Sequence, residues 1–493
     1  MLPLPAHPLH RLHLSSKCGF ATLLDPRGGR LALAGLGALL STWSRGCTLA
    51  LLLLTPLLTP QVARAACVDE DQPEPAVASL AAAATAAAKA APLSPRSHLQ
   101  TLVRDALERS NAIGASRLLA EAALQDVEEA KANKKPQATL IGAVSPSLGV
   151  GKDATTAQLQ GRAGVELRQT IYDGGRSDRL VDWRSQQAEA ARLGLLSSRE
   201  QVTLATASLA FERSRFRMQA VIYGQNMRKM GCLVEALQTI VNADKGRASE
   251  LVQARKQLQQ TELLQVQAQS QARGVEARLR RIAGDGLPGT EGMSTLLLGV
   301  PDLTLALSAA ERATDITQLD ANAAALREIA RAVEAGNKPQ LSWNVAGNAL
   351  VGVGGGNPHS TGVVAGLTLN IPLLNPALEY SSQAARKRAE AAQLQRAEAL
   401  EQRRIRIVDV HEQAGAAFER VRRVALVLRD SDQLRNFTLQ QWQQLGRRSL
   451  FDVIAAENDH YALRVQYVNA LTDGQQMNAM LTSLGIGLSI WLQ

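Results

Sequence analysis

Histidines, cysteines and one glycine-rich segment are the residues of this sequence whose types could support catalysis or hold a metal. The seven histidines have no spacing typical of a metal site; they are His7, His10, His13, His98, His359, His411 and His460. The glycine-rich segment 352–358 lacks the Lys-Ser/Thr pair and the following helix of a phosphate-binding loop. The sequence therefore predicts no enzyme, no metal site and no cofactor.

The first 65 residues have the features of a signal peptide. Arg45 precedes a short apolar run, Leu49–Leu54, and Ala63-Arg64-Ala65 is a small-x-small cleavage pattern. The run is too short to span a membrane, so we expect residues 1–65 to be removed during export. The segment before the run is long for a signal peptide, which leaves open a translation start downstream of Met1.

Cysteine usage does not indicate a disulfide framework. Cys18 and Cys47 belong to the leader, which leaves Cys67 and Cys232 as one possible pair in a long chain. Cys67 follows the cleavage pattern closely, so a lipid anchor there stays open. It lacks the leucine expected three positions before a lipidated cysteine.

The positive charge of the chain lies mostly in the leader. The formal net charge is +9, of which residues 1–65 carry +5 and the remainder +4. Only 3% of residues are aromatic, and no basic patch is interleaved with aromatic residues. The sequence therefore predicts no nucleic-acid partner.

Helices far longer than a globular domain uses dominate the sequence. One runs from Arg176 to about Asp244, and another runs from Asn375-Pro376 to Gly446, which corresponds to a length of roughly 100 Å. A seam with steps of three and four predicts coiled-coil packing against a partner helix: Ile407, Val410, Ala414, Ala417, Val421, Val424 and Leu428. The charged residues around this seam, including Arg403, Arg404 and Arg406, are expected to be solvated.

The order of predicted elements divides the chain into two similar halves. An Ala/Pro-rich flexible lead-in, 66–96, is followed by a first repeat, 97–284, with a helix, two strands (Gln137–Val150 and Gly161–Tyr172) and a long helical hairpin. A linker, 285–301, joins it to a second repeat, 302–487, and residues 488–493 form a tail.

Three matched segments predict that the halves are internal repeats. Lys135-Pro136-Gln137 recurs as Lys338-Pro339-Gln340 at an offset of 203, and Gly164-Val165-Glu166-Leu167 corresponds to Gly366-Leu367-Thr368-Leu369 at 202. Gly246-Arg247-Ala248-Ser249 corresponds to Gly446-Arg447-Arg448-Ser449 at 200. Each half thus supplies two strands and one turn between long helices.

Four strands are too few for a membrane barrel, for which about eight is the minimum. Two chains would supply eight strands and three would supply twelve, so strands in a membrane require a symmetric oligomer. The strands alternate only partly, and Tyr172 and Trp343 are the candidates for an aromatic girdle. A soluble periplasmic coiled-coil adaptor or structural protein is the alternative, although it does not explain the duplicated strand pairs.

These features together resemble the TolC-like outer-membrane efflux and secretion channels. The resemblance rests on the order of elements, the strand end Leu167–Gly175, the two Gly-x-x-Ser turns and the closing Leu484-Gly485, and it covers residues 97–487. It implies a mixed α and β membrane protein, a homotrimer in the cell outer membrane. Its twelve-stranded transmembrane β-barrel would continue into a long periplasmic α-helical coiled-coil barrel.

The resemblance also implies partners and a mechanism. It predicts the exit duct of a tripartite export system, which opens at its periplasmic helix tips when docked to a periplasmic adaptor and an inner-membrane transporter. The cargo stays open between protein exported by a type I system and small molecules removed by efflux.

The same resemblance suggests functions for the turns between the long helices. The candidates for adaptor contact are Gly246, Arg247, Ser249, Gly446, Arg447, Arg448 and Ser449. Asp452 matches an acidic position that rings the pore constriction in the family, whereas Ala455 stands where the family has a second acid. Three carboxylates around an axis would hold or repel ions. A first-turn acid is equally consistent with stabilisation of the helix dipole alone.

Overall fold

The fold comes from a computed structural model that describes residues 94–150, 155–354, 359–445 and 448–493. The expected leader, most of the lead-in, Cys67, Gly446 and Arg447 lie outside these residues. The first helix of the described chain begins at Pro95, with the side chain of Ser94 accepting a hydrogen bond from the amide of Ser97. It thus starts two residues before the expected boundary at residue 97.

Helices, several of them very long, make up most of the described chain. They are α1 (Pro95–Arg109), α2 (Asn111–Ala132), α3 (Arg176–Ala243), α4 (Ala248–Ala283), α5 (Leu303–Ala310), α6 (Thr314–Ala335), α7 (Pro376–Leu445), α8 (Leu450–Leu484) and α9 (Leu488–Leu492). Short 3-10 turns lie at Lys245–Arg247 and Met293–Thr295. Among the described residues, no helix combines the length and apolar character that a membrane crossing needs.

Four strands in the described part of the chain form one antiparallel sheet in chain order. They are β1 (Gln137–Val150), β2 (Thr155–Tyr172), β3 (Gln340–Gly354) and β4 (His359–Asn370). Within the described residues, β1 and β4 each pair on one side only, so the sheet has two open edges. The sequence predicted β1 correctly, but β2 begins six residues before the expected Gly161.

The glycines of the Asp173-Gly174-Gly175 turn direct the chain from β2 into α3. Gly174 and Gly175 have φ values of 69° and 85°, which glycine adopts without steric cost. The Asp173 carboxylate accepts hydrogen bonds from the amides of Gly175 and Ser177, at 3.1 and 2.7 Å. These bonds satisfy amides that the start of a helix leaves without partners.

The helix expected before β1 is in fact two helices. Ser110 ends α1 in an extended conformation, and its hydroxyl accepts a hydrogen bond from the amide of Ile113 in α2 at 3.4 Å. A serine in this role favours a new helix start, because its side chain satisfies an amide of the first turn. The order of two helices, two strands and two helices then occurs twice along the chain.

Helices α3 and α4 form one antiparallel hairpin, and α7 and α8 form a second. The predicted seam on α7 is confirmed for Ile407, Val410, Ala414 and Ala417, which are all buried. Ile407 and Val410 pack with Leu481 of α8. Val421 is only half buried, so the tight part of the seam ends near Ala417.

Arg403 does not have the solvated side chain that the charge pattern predicted. Only 11% of it is exposed. Its guanidinium donates hydrogen bonds to the Asp315 carboxylate at 2.5 Å and to the Leu484 carbonyl at 2.7 Å. The last carbonyls of a helix lack intrahelical partners, so Arg403 satisfies the end of α8.

The segment 285–301 is fixed to α8 by two amide side chains. The Gln475 side chain donates hydrogen bonds to the carbonyls of Met293 and Leu296, both at 2.8 Å. Asn478 donates to the carbonyls of Leu297 and Gly299, at 2.6 and 3.0 Å. The predicted linker is therefore an ordered part of the packed helices.

Candidate functional site

The turn between α3 and α4 is built around Asp244. This residue is extended, and its carboxylate accepts a hydrogen bond from the amide of Gly246 at 2.9 Å. Gly246 is exposed and has no positive φ, so the chain reverses through Asp244 and the 3-10 turn. Gly246 lies within this turn, between the end of α3 and the start of α4. Glycine at position 246 leaves room for the Asp244 carboxylate, because a Cβ added there would lie only 3.1 Å from it, closer than an ordinary van der Waals contact.

The turn between α7 and α8 is stabilised by a different set of hydrogen bonds. Ser449 is the N-cap of α8, and its hydroxyl accepts a hydrogen bond from the amide of Asp452 at 3.3 Å. The Asp452 carboxylate accepts a reciprocal bond from the amide of Ser449 at 3.2 Å. The pair forms a capping box, which satisfies two amides at the start of α8.

The two Gly-x-x-Ser turns therefore differ in geometry although their sequences match. Ser249 is the second residue of α4, is exposed, and makes no capping bond. The Arg247 guanidinium lies 3.9 Å from the Glu250 carboxylate, and Arg448 donates to the Gln441 side chain at 3.2 Å. The sequence match alone did not predict this difference.

An apolar cluster brings the two turns together in space. This tip cluster contains buried residues from both hairpins: Met230, Leu233, Leu237, Leu251, Ala254, Leu450, Val453 and Ile454. Leu439 and Trp442 of α7 pack against it. The described turn residues Gly246, Arg247, Ser249, Arg448 and Ser449 thus lie at one end of the paired hairpins.

Asp452 combines a structural bond with an exposed charge. Its side chain is 46% exposed, and the Arg448 guanidinium lies 4.0 Å from its carboxylate. The carboxylate lies in the first turn of α8 and takes part in the capping box. The carboxylate also remains accessible to ions at the end of the hairpins.

A buried charged cluster lies about two helical turns from this end and was not predicted. Glu457 of α8 is 1% exposed, and Arg435 of α7 donates a hydrogen bond to its carboxylate at 3.4 Å. Arg435 also pairs with Asp432 at 2.8 Å, and the Lys229 ammonium lies 4.0 Å from Glu457. One indication of this cluster is present in the sequence: Glu457 lies at helical spacing between the apolar residues Val453 and Ile454 and the aromatic residue Tyr461, which are all buried.

Polar pairs also join α3 to α8 along the contact between the hairpins. They are Arg215–Asp473 at 3.5 Å, Gln219–Asn469 at 2.6 Å, Asn226–Asn458 at 3.5 Å and Lys229–Glu457 at 4.0 Å. Residue numbers rise along α3 while those of their partners fall along α8, as expected for antiparallel helices. The contact between the hairpins thus combines these polar pairs with apolar contacts, such as those of Ile222 with Tyr461 and Val468.

The register of the sheet gives it two chemically different faces. Residues paired across antiparallel strands share a face. One face, called the apolar face, carries the large apolar side chains Leu140, Val144, Leu148, Leu159, Val165, Leu167, Trp343, Val345, Val351, Val363, Leu367 and Leu369. No Asp, Glu, Lys or Arg lies on the apolar face in the described strands. Leu140, Val144 and Val363 are 78%, 72% and 76% exposed.

The opposite face, called the polar face, carries hydroxyl, amide and charged side chains. Its charged residues in the described strands are Arg162, Glu166 and Arg168, all on β2. Ile141, Leu350 and Val364 also fall on the polar face, and this explains why alternation is only partial along single strands. On the apolar face, the Trp343 indole donates a hydrogen bond to Gln169 at 3.0 Å.

Comparison by sequence finds no match, either to a family model or to a curated protein. Comparison with solved structures finds close similarity in fold. The outer membrane protein VceC of Vibrio cholerae is 17% identical with a TM-score of 0.67, over 80% of this chain and 97% of that chain. CusC, whose structures describe transmembrane channel formation, is 16% identical with a TM-score of 0.69, over 79% and 92%.

The MtrE outer membrane channel of Neisseria gonorrhoeae, in its open state, is 14% identical with a TM-score of 0.65, over 79% of this chain and 89% of that chain. The match in each case extends over nearly the whole neighbour. The resemblance expected from the sequence is thus confirmed in three dimensions, and this chain has the fold of the TolC-like outer-membrane channels.

Proposed function

We propose that this protein is the outer-membrane exit duct of a tripartite export system and acts as a homotrimer. The observation that carries the proposal is the sheet: its apolar face is exposed, both its edges are open, and it continues into two long helical hairpins. Outer-membrane lipid would cover the apolar face, and strands of neighbouring copies would close the edges.

The dimensions of the sheet fit a membrane. The apolar positions of β1 run from Ala138 to Leu148, about 34 Å along the strand. A strand tilt of about 40° reduces this to roughly 26 Å, close to the apolar band of outer-membrane barrels. The length of the apolar face therefore agrees with a strand that crosses the outer membrane.

Three copies suit a duct better than two. Two copies would give eight strands, and side chains fill the interior of a barrel of about eight strands. Three copies would give twelve strands and a wider interior. The helical hairpins of the three copies, each copy built from two internal repeats, would then continue the barrel into the periplasm as a coiled-coil duct.

We further propose that the ends of the hairpins dock onto a periplasmic adaptor fed by an inner-membrane transporter. The contact residues would be Gly246, Arg247, Ser249, Gly446, Arg447, Arg448 and Ser449, and Asp452 would line the constriction. The similarity of fold to outer-membrane channels supports an outer-membrane duct in general, whereas the docking and the cargo, either protein from a type I system or small molecules, are left to experiment. Export of the chain itself would use residues 1–65 as its signal peptide.

Cell fractionation followed by unheated gel electrophoresis tests this proposal. We expect a trimer-sized species in the detergent-extracted outer membrane and a mature chain that lacks residues 1–65. Val144→Arg puts a charge on the apolar face near mid-strand and is expected to cost about 2–4 kcal/mol per copy in the membrane. The matched control is Ser145→Arg, which puts the same charge on the polar face.

The trimer should be lost or reduced with Val144→Arg and retained with Ser145→Arg. Equal behaviour of the two variants would contradict the assignment of the faces. Wild-type protein that is folded and soluble in the periplasm without detergent would instead establish the alternative, a soluble coiled-coil adaptor or structural protein.

A further inference from the structure

The charges on the polar face are unevenly distributed along β2. Arg168 and Glu166 lie two residues apart near the helix side of the sheet. Arg162 lies four residues farther along the strand, which places its Cα about 13 Å from that of Glu166. This separation exceeds the Debye length of about 8 Å at physiological ionic strength. Glu166 therefore offsets Arg168 but leaves Arg162 electrostatically isolated.

Among the described residues, the neighbours of Arg162 on the polar face include no compensating carboxylate. Its direct neighbours across the sheet are Ala143 on β1 and Leu350 on β3. The next residues on the same face of its own strand are Gln160 and Gly164. In the described part of the chain, Arg162 has no ion-pair partner, and the residue is exposed. The guanidinium is thus an unneutralised cation among small and uncharged side chains.

The proposed barrel determines where this cation points. The apolar face must contact lipid, so the polar face lines the interior, and three copies place three Arg162 side chains at one level. Fixed charges inside a water-filled pore attract ions of opposite sign and raise their local concentration. Low-dielectric walls strengthen this effect relative to open solution.

We infer that Arg162 forms a ring of three guanidinium groups inside the sheet and gives this part of the duct a preference for anions. The inference rests on the proposed trimeric duct. It adds that the barrel part of the duct favours negatively charged solutes. This anion preference does not depend on Asp452, which lies at the far end of the helical hairpins and carries the opposite charge.

Planar lipid bilayers containing the mature protein purified from the outer membrane test this inference. The measured quantity is the zero-current potential across a tenfold KCl gradient. We expect wild-type protein to favour Cl⁻, Arg162→Gln to lower the Cl⁻/K⁺ permeability ratio by about twofold or more, and Arg162→Glu to favour K⁺. Arg162→Lys is the matched control, because it keeps the charge and should keep the preference. The differences should shrink near 1 M salt, where the Debye length is about 3 Å.

The outcomes separate this inference from the proposed function. Conductance with the same permeability ratio in wild type, Arg162→Gln and Arg162→Glu would overturn the role of Arg162 and leave the duct intact. Wild-type protein that is folded and soluble without detergent, or that forms no trimer in the outer membrane, would overturn the duct itself, and the inference with it. Repeating the series with Asp452→Asn should preserve the effect of Arg162, and its loss there would assign selectivity to the hairpin ends instead.

Discussion

The guanidinium of Arg403 donates a hydrogen bond to the carbonyl of Leu484 at 2.7 Å, and so joins the middle of α7 to the last residue of α8. The same group bonds the carboxylate of Asp315 at the start of α6 at 2.5 Å. One side chain therefore connects α6, α7 and α8. The contact lies at the end of the second hairpin opposite the α7–α8 turn.

Replacing Arg403 with Gln should destabilise the helical part of the protein by about 2 kcal/mol, since bonds to charged groups contribute about 1.5–3 kcal/mol. The measurement is the urea dependence of the helical circular dichroism signal in detergent. Arg422→Gln is the control, because Arg422 is 72% exposed and its ion pair is with a nearby glutamate on its own helix. Equal effects of both variants would contradict the assigned role of Arg403.

The buried Glu457–Arg435 pair should show strong coupling. Arg435→Met removes one partner and leaves a buried carboxylate, which we expect to cost about 3–5 kcal/mol. Glu457→Gln in the same chain should recover part of the loss, because the remaining buried group is then neutral. A double-mutant cycle on the unfolding free energy measures the coupling, and additive effects would show that the pair acts as two independent groups.

The two turns provide a matched test of helix capping. Ser449→Ala removes the N-cap of α8 and should cost about 1 kcal/mol. Ser249→Ala, at the corresponding position of the other turn, removes no capping bond and should be nearly neutral. Hydrogen exchange of the amides at the start of α8 and of α4 distinguishes them: protection should fall only in α8. A similar loss in both helices would contradict the difference between the turns.

Asp452→Asn separates the structural role of this residue from its charge. The asparagine oxygen can still accept the hydrogen bond from the Ser449 amide, so stability should change little. If Asp452 lines the constriction, single-channel conductance or its dependence on pH should change. A channel with unaltered conductance at all pH values would remove Asp452 from the gate.

The stability of the first hairpin should depend on pH through Glu276. Burial raises the pKa of Glu276, but hydrogen bonds and attraction from Arg213 and Arg217 outweigh it, so the pKa lies below the ordinary value. A lowered pKa means that the stabilisation is complete above the unfolded value of about 4.3 and is lost as pH falls through the folded value. The difference in unfolding free energy between wild type and Glu276→Gln should therefore shrink in acid. A constant difference from pH 7 downward would contradict this.

The sequence by itself determined the succession of elements and most of their ends. Gln137 and Gln340 start strands, Tyr172 ends β2, and α3 begins after the glycine turn, because prolines, glycines and helical periodicity act over a few neighbouring residues. The break at Ser110 was missed, since a capping serine looks like any polar helix residue until the backbone conformation is known.

Only the tertiary structure decided which side chains share a surface. The apolar face of the sheet emerges when four strands are aligned, and the isolation of Arg162 depends on residues almost 190 positions apart. Arg403 and Glu457 are charged residues whose burial depends on helices distant in sequence. Local patterns specify a helix or a strand, whereas burial, charge pairing and the identity of a face are set by partners that only the folded chain brings near.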